Sequence, residues 1–297
     1  MTYEWFALAA AALWAVSSLL SATPARHLGS FAYSRWRMGC TAVMLTGIAW
    51  LAGGWDSVDV SHIIPMALSG LIGIFIGDTA LFACMNRMGP RQAGLLFSCH
   101  AVLSAILGYW LFNETLEGLE LFGAILVFSG VLIAIMFGRK QTNRHTWEIV
   151  QGKLSIAVAL GLLAAFCQAM GGIIAKPVMQ TSVDPIAASA IRMISAFIAH
   201  SALRLSGARI AKPLQNINIR ILLITASNGF LAMVLGMTFI LYALQKGNVG
   251  MVAILSSTTP IMILPILWLY TKQRPSAFAW IGALLAVIGT WLVVNIS

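Results

Sequence analysis

Charge is what this chain has least of. Only 9% of its 297 residues are Asp, Glu, Lys or Arg, against 60% apolar, whereas a soluble domain carries about 25% charged residues. With a mean hydropathy of +0.89, most of the chain is built for lipid. A basic segment ahead of the first apolar run is also missing. The only charge at its start is Glu4, so that run is expected to stay as a span and not to be cleaved as a signal peptide. Cysteine is sparse: Cys40, Cys84, Cys99 and Cys167 lie inside apolar runs without CxxC or metal-ligand spacing, and read as small packing residues. No His, Asp or Cys pair stands at the i, i+4 spacing of a metal enzyme. We therefore expect no enzyme activity, no metal and no cofactor.

Ten runs approach the roughly 20 apolar residues needed to cross the hydrocarbon core. They lie at Tyr3–Leu20, Phe31–Leu51, Ile63–Met85, Pro90–Phe112, Leu119–Phe137, Leu154–Ala175, Pro185–Leu205, Arg220–Leu244, Val249–Tyr270 and Ala277–Val294. Together they leave no length for a soluble domain. Net charge is +9, but its distribution does not suit nucleic acid. Arg26, Arg87, Arg91, Arg139, Lys140, Arg144, Lys153, Arg209, Lys212, Lys272 and Arg274 fall on alternate connections. Glu4, Asp56, Asp59, Glu114, Glu117, Glu120 and Asp184 fall on the others, with Lys176 and Lys246. The positive-inside rule puts the basic connections in the cytoplasm and both termini outside. Membrane lipids and a small solute are the expected partners. A monomer is the expected state, with a dimer left open.

The chain also reads twice. Gly123-Ala124-Ile125-Leu126-Val127-Phe128-Ser129-Gly130 returns about 160 residues later as Gly282-Ala283-Leu284-Leu285-Ala286-Val287-Ile288-Gly289, and Gly89 to Ser98 recurs as Gly247 to Ser256. Each half holds an odd number of spans, so the second copy enters the membrane upside down. The predicted fold is an all-α membrane protein with ten transmembrane helices in two inverted five-helix repeats, residues 1–138 and 153–297. A basic cytoplasmic loop, residues 139–152, joins them. Inverted repeats of this kind mark alternating-access transport, with a site near the midplane between the halves. Apart from Glu120 at the start of the fifth, the final spans of the two halves contain no ionisable residue, so they belong at the periphery or at an interface.

The stretch Trp14-Ala15, the arginines seven residues into spans 2 and 7 (Arg37 from Ser30, Arg192 from Pro185), and the run through Glu114 to Gly123-Ala124 resemble the EamA family of the drug/metabolite transporter superfamily. The resemblance covers nearly the whole chain, in both repeats. It implies a ten-helix carrier of small metabolites, often an exporter, with substrates ranging over amino acids, nucleotide-sugar-like and drug-like solutes. Two departures make the halves chemically unequal. The position aligned with Pro260 is Val102, and the glutamate kept as Glu114 is Lys272 in the second half.

Ionisable groups at depth are costly and are candidates for function by default. Asp78 in span 3 reads either as a proton or cation site or as half of an ion pair with Arg37 or Arg91. His100 in span 4 titrates near neutral pH when unperturbed. Glu114 follows fourteen residues later, nearly four helical turns, which places His100, Ser104 and Glu114 on one face. These three acids and bases (Asp78, His100, Glu114) are the candidates for proton coupling. Arg37 lies near a span end and can snorkel to the interface. Arg192 sits about two turns deep, as a partner for a buried acid or a substrate carboxylate. Trp14, Ser18, Phe82, Phe97, Gln168, Tyr242, Ser257 and Thr258 complete the candidate substrate contacts with His100 and Arg192. The Ser and Thr hydroxyls have an alternative use on their own helix backbone. Sparse polar groups among aromatics suit amphipathic or aromatic solutes better than sugars. A lipid or polyisoprenoid flippase is the rival reading.

Overall fold

The computed structural model describes residues 3–137, 152–271 and 276–296. The basic residues Arg139, Lys140, Arg144, Lys272 and Arg274, and the predicted connecting loop apart from Gly152, lie outside them. Within the described residues every regular element is a helix. The first half runs α1 (Tyr3–Leu28), α2 (Ser30–Leu51), a 3-10 turn, α3 (Val60–Gly70), a π-helical segment π1 (Leu71–Asp78), α4 (Thr79–Ser98), α5 (His100–Phe112) and α6 (Gly118–Phe137). The second half follows the same order. It runs α7 (Leu154–Met179), α8 (Pro185–Leu205), a 3-10 turn, α9 (Ile219–Gly229), π2 (Phe230–Met237), α10 (Thr238–Lys246), α11 (Val249–Ser256), α12 (Thr259–Thr271) and α13 (Ala277–Ile296).

Among the described residues, seven helical stretches are long and apolar enough to cross a membrane, including Val60–Gly89 and Ile219–Lys246. The apolar stretches Gly118–Ile133 and Ala277–Val293 are shorter. Length and apolarity thus support seven of the ten expected spans. The α2 helix, which carries Arg35 and Arg37, is long enough but too polar to join them.

Several expected features change in detail. Spans 3 and 4 have almost no loop between them. The chain reverses at Gly89, whose φ of 85° and ψ of 161° interrupt α4, in the region where an L side chain is strained. Pro90 follows at the position where a helix start tolerates it. Span 4 then breaks at Cys99, between α4 and α5, and span 9 breaks at Ser257-Thr258, between α11 and α12. The first break, a single residue at Cys99, occurs without a proline. Both π segments are eight residues long and sit at the same place in their half, ending on Asp78 and Met237.

The halves are interleaved. The α1 helix packs against α9, π2, α10, α11 and α12 of the second half, while α7 packs against α3, π1, α4 and α5 of the first. The α2 and α8 helices pair across the centre. The largest core cluster draws on both halves, with Met38, Leu45, Met66, Met179, Met193, Leu241 and Leu255 fully buried. The two final helices, α6 and α13, lie against each other. A Cβ added to Gly123 would stand 2.9 Å from the Gly289 carbonyl, and one on Gly130 would run into the Gly282 carbonyl. Small residues permit this approach where packing replaces the hydrophobic effect. The outer faces of the pair carry exposed Phe122, Ile125, Leu284, Val287 and Trp291.

Candidate functional site

Two buried polar clusters join the halves. The first is central. Arg37 is 3% exposed, and its Nη2 donates to Asp78 Oδ2 in a buried ion pair. Its Nη1 donates to Asn228 Oδ1 at 3.4 Å, and Tyr33 OH donates to the same oxygen at 2.8 Å. Asn228 Nδ2 in turn donates to the Ser17 carbonyl of α1 at 2.7 Å. The guanidinium carbon of Arg37 lies 4.7 Å from the centre of the Phe82 ring, which meets Tyr33 edge-on. This knot ties α1, α2, π1 and α9 together, and it corrects the reading of Arg37 as a snorkelling residue. The side chain points inward because a carboxylate, an amide and an aromatic face meet it there. Of the two readings of Asp78, the structure shows the ion pair. Its place on π1 is just past the middle of the Val60–Gly89 rod. Here the i→i+5 bonding widens the helix, a local irregularity often found at functional sites.

Arg192 also belongs to this centre. It is 2% exposed on α8. A Cβ on Gly73 of π1 would be 3.4 Å from its Nη2, and one on Gly171 of α7 would be 3.5 Å away. Among the described residues its guanidinium makes no hydrogen bond, and its Nε is enclosed and unbonded. The charge of Asp78 reaches it, as it reaches Arg37. Arg37 Nε is likewise unbonded, but its other nitrogens are engaged.

The second cluster lies at one end. Lys176, 4% exposed in the last turn of α7, donates to Glu114 Oε1 and, at 2.8 Å, to the Gly247 carbonyl. Glu114 Oε2 accepts the Val249 N–H at 2.7 Å, so the carboxylate also sits at the N-terminus of α11, where negative charge is favoured. A pocket of about 480 Å³ opens beside it, lined by residues 112–115, Lys176, Gln180 and Asn248. This overturns the placement of Glu114 on the His100 face. The helix stops at Phe112, because Asn113 takes a left-handed conformation at φ 53° and turns Glu114 back over Gly108. His100 is eight residues before Gly108, about 12 Å along the helix axis.

The remaining candidates are placed as follows. His100 is buried at the α4–α5 break, 5.0 Å from Phe97 ring to ring, with no hydrogen bond among the described residues. Trp14 Nε1 donates to the Ala232 carbonyl of π2 at 2.8 Å, a tie between halves. Ser18 Oγ donates to the Ala15 carbonyl at 2.8 Å. The Ser257 and Thr258 hydroxyls donate to Ile254 and Leu255 carbonyls at 2.7 Å each, so the backbone use of these side chains is the observed one. Tyr242 stacks on Phe6 at 5.4 Å. Gln168 lies half-buried on α7. Only Phe82, Asp78 and Arg192 converge on one centre. Tyr33, the residue missed there, has no signal of its own in sequence. Asn228 had one, an amide inside a span.

The sequence signature of the EamA-like transporter family matches residues 1–136 and again residues 155–295. A protein of Escherichia coli described as a probable amino-acid metabolite efflux pump is 27% identical over 229 residues, 75% of this chain and 74% of its own. An uncharacterized transporter of Synechocystis is 26% identical over 223 residues, 70% of this chain but only 64% of that protein's length. A solved crystal structure superposes on 99% of this chain and 96% of its own with a TM-score of 0.77 at 14% identity, which speaks to the fold alone.

Proposed function

This chain belongs to the EamA-like transporter family, and we propose that it carries small metabolites, amino acids and aromatic or amphipathic solutes foremost, across the bacterial inner membrane. The proposed mechanism is alternating access between two inverted five-helix halves, both termini lying outside the cytoplasm. One observation carries the reading: a buried knot of charge, Arg37 with Asp78 and Asn228, stitches the two halves at mid-depth. A solute that contacts such a seam meets both halves at once, so its binding can shift the population between inward- and outward-open states. The amino-acid class is supported by the efflux function in the name of the Escherichia coli relative. Asp78 and His100 are the titratable groups through which a proton gradient would act. Glu114 is held at the end clamp with Lys176, where it acts as a latch between halves.

The test is counterflow in proteoliposomes loaded in turn with amino acids and aromatic metabolites. Saturable exchange of a labelled solute from that panel is the expected result. No exchange across the panel, together with scrambling of a fluorescent phospholipid, would instead establish the flippase.

A further inference from the structure

We propose that Arg192 anchors a carboxylate on the transported solute, and that it is free to do so because the repeat has withheld its internal partner. The proposal rests on the transport reading above and names the chemistry of that same seam. Its ground is a comparison of two arginines that hold matching positions in the two halves. Arg37 is seven residues into α2 and Arg192 seven residues into α8. Each crosses a glycine of the opposite half: Arg37 lies against Gly229 of α9, and the Arg192 backbone lies against Gly70 of α3.

What answers them differs. Arg37 meets Asp78, the last residue of π1. The last residue of π2 is Met237, 2% exposed, and α8 packs on that segment. The position from which an acid should answer Arg192 is therefore apolar. Among the described residues the seam holds two buried cations, Arg37 and Arg192, and one buried anion, whose hydrogen bond goes to Arg37.

An arginine has five N–H donors and no acceptor, and buried charges in membrane proteins are normally paired or functional. Arg192 is 2% exposed, with an enclosed Nε and no bonded guanidinium nitrogen among the described residues. Its Nη2 lies beside the backbone of two glycines. Gly73 and Gly171 approach so closely that a Cβ on either would be 3.2 or 3.0 Å from the Cα of the other, beside Nη2. The neighbouring hydroxyls donate elsewhere, Ser69 to the Gly171 carbonyl at 2.7 Å and Ser195 to the Ala67 carbonyl at 3.1 Å. A planar carboxylate fits a guanidinium fork through two parallel bonds, and its single charge cancels the single excess. An amine would meet net positive charge. A phosphate dianion would overshoot beside Asp78.

The full-length protein in detergent is titrated by thermal shift with L-phenylalanine and L-leucine, and with phenethylamine and isoamylamine, which lack only the carboxylate. The same pairs are then assayed for exchange in proteoliposomes. Wild type is expected to respond to the acids and not to the amines. Arg192→Gln should raise half-saturation for the acids at least tenfold, with Arg192→Lys in between. Met237→Asp supplies the missing partner and should weaken acid binding as Arg192→Gln does, without lowering the melting temperature of the empty protein. Equal response to acids and amines, or wild-type half-saturation in both Arg192→Gln and Met237→Asp, overturns the anchor while exchange itself leaves the transport reading standing. A wild type that neither binds nor exchanges any of the four overturns both.

Discussion

Asp78 is the residue on which most of the buried chemistry turns. It pairs with Arg37, and its charge also reaches Arg192. Asp78→Asn keeps an oxygen that can accept from Arg37 but removes the charge from a site holding two cations. Unfolding stability in detergent should fall by about 1–3 kcal/mol, the cost of leaving a buried charged group poorly answered. If Asp78 carries the coupling proton, the same variant will lose pH-gradient-driven uptake in proteoliposomes and keep solute exchange. Unchanged driven uptake would remove Asp78 from any coupling role. The place of Asp78 along its helical rod could be read from sequence, because it follows from residue number alone. Its partner could not, since direction around the helix axis is set by packing between distant segments and, here, by a π segment that breaks the regular periodicity. Glu114 shows the same limit. Counting turns from His100 assumed a helix continuing past Phe112, and Asn113, a residue type that tolerates the left-handed region, was the available sign that it stops.

At the scale of elements, the doubled sequence was legible because it lies in backbone-determining residues. Glycines at matching places, Gly123 with Gly282 and Gly130 with Gly289, bring α6 and α13 together, and Gly123, Gly130 and Gly289 are each met by backbone of the partner helix. The breaks in spans 4 and 9 were legible only in the second half, where Pro260 marks one. The first half breaks at Cys99 with no such mark. Helix contact at α6–α13 gives a clean prediction. Gly130→Leu drives a side chain into the Gly282 carbonyl and the Ala286 amide, whereas a Cβ on Gly47 meets nothing within 4 Å. Gly130→Leu should cost roughly 1–3 kcal/mol, the usual penalty for overpacking. Gly47→Ala should be neutral or stabilise by up to about 1 kcal/mol through helix propensity. Thermal unfolding of the two purified variants beside wild type checks the pair. Equal melting temperatures for both would mean that α6 and α13 are not in contact.

For the whole molecule, the interleaving of α1 with the second half and α7 with the first makes the halves inseparable without making them identical. The halves differ at the seam, where Asp78 is matched by Met237, and at one end, where Glu114 is latched to Lys176. Which end that is follows from charge. The Glu114–Lys176 end shares its side with Asp56, Asp59 and Asp184, while Arg26, Arg87, Arg209 and Lys212 lie at the other. Lys and Arg in short connections are held on the cytoplasmic side, so the latch should close the outer mouth. A reporter fused after Ser297 is then expected to show alkaline phosphatase activity and no cytoplasmic fluorescence. In whole cells, a single cysteine at Asp56 should react with an impermeant maleimide and one at Lys212 should not. The reverse labelling would turn the molecule over and make Glu114–Lys176 an inner latch. The seam at Arg37, Asp78 and Arg192 would keep its place between the two mouths, because its position depends on the packing of the halves and not on which side of the membrane either faces.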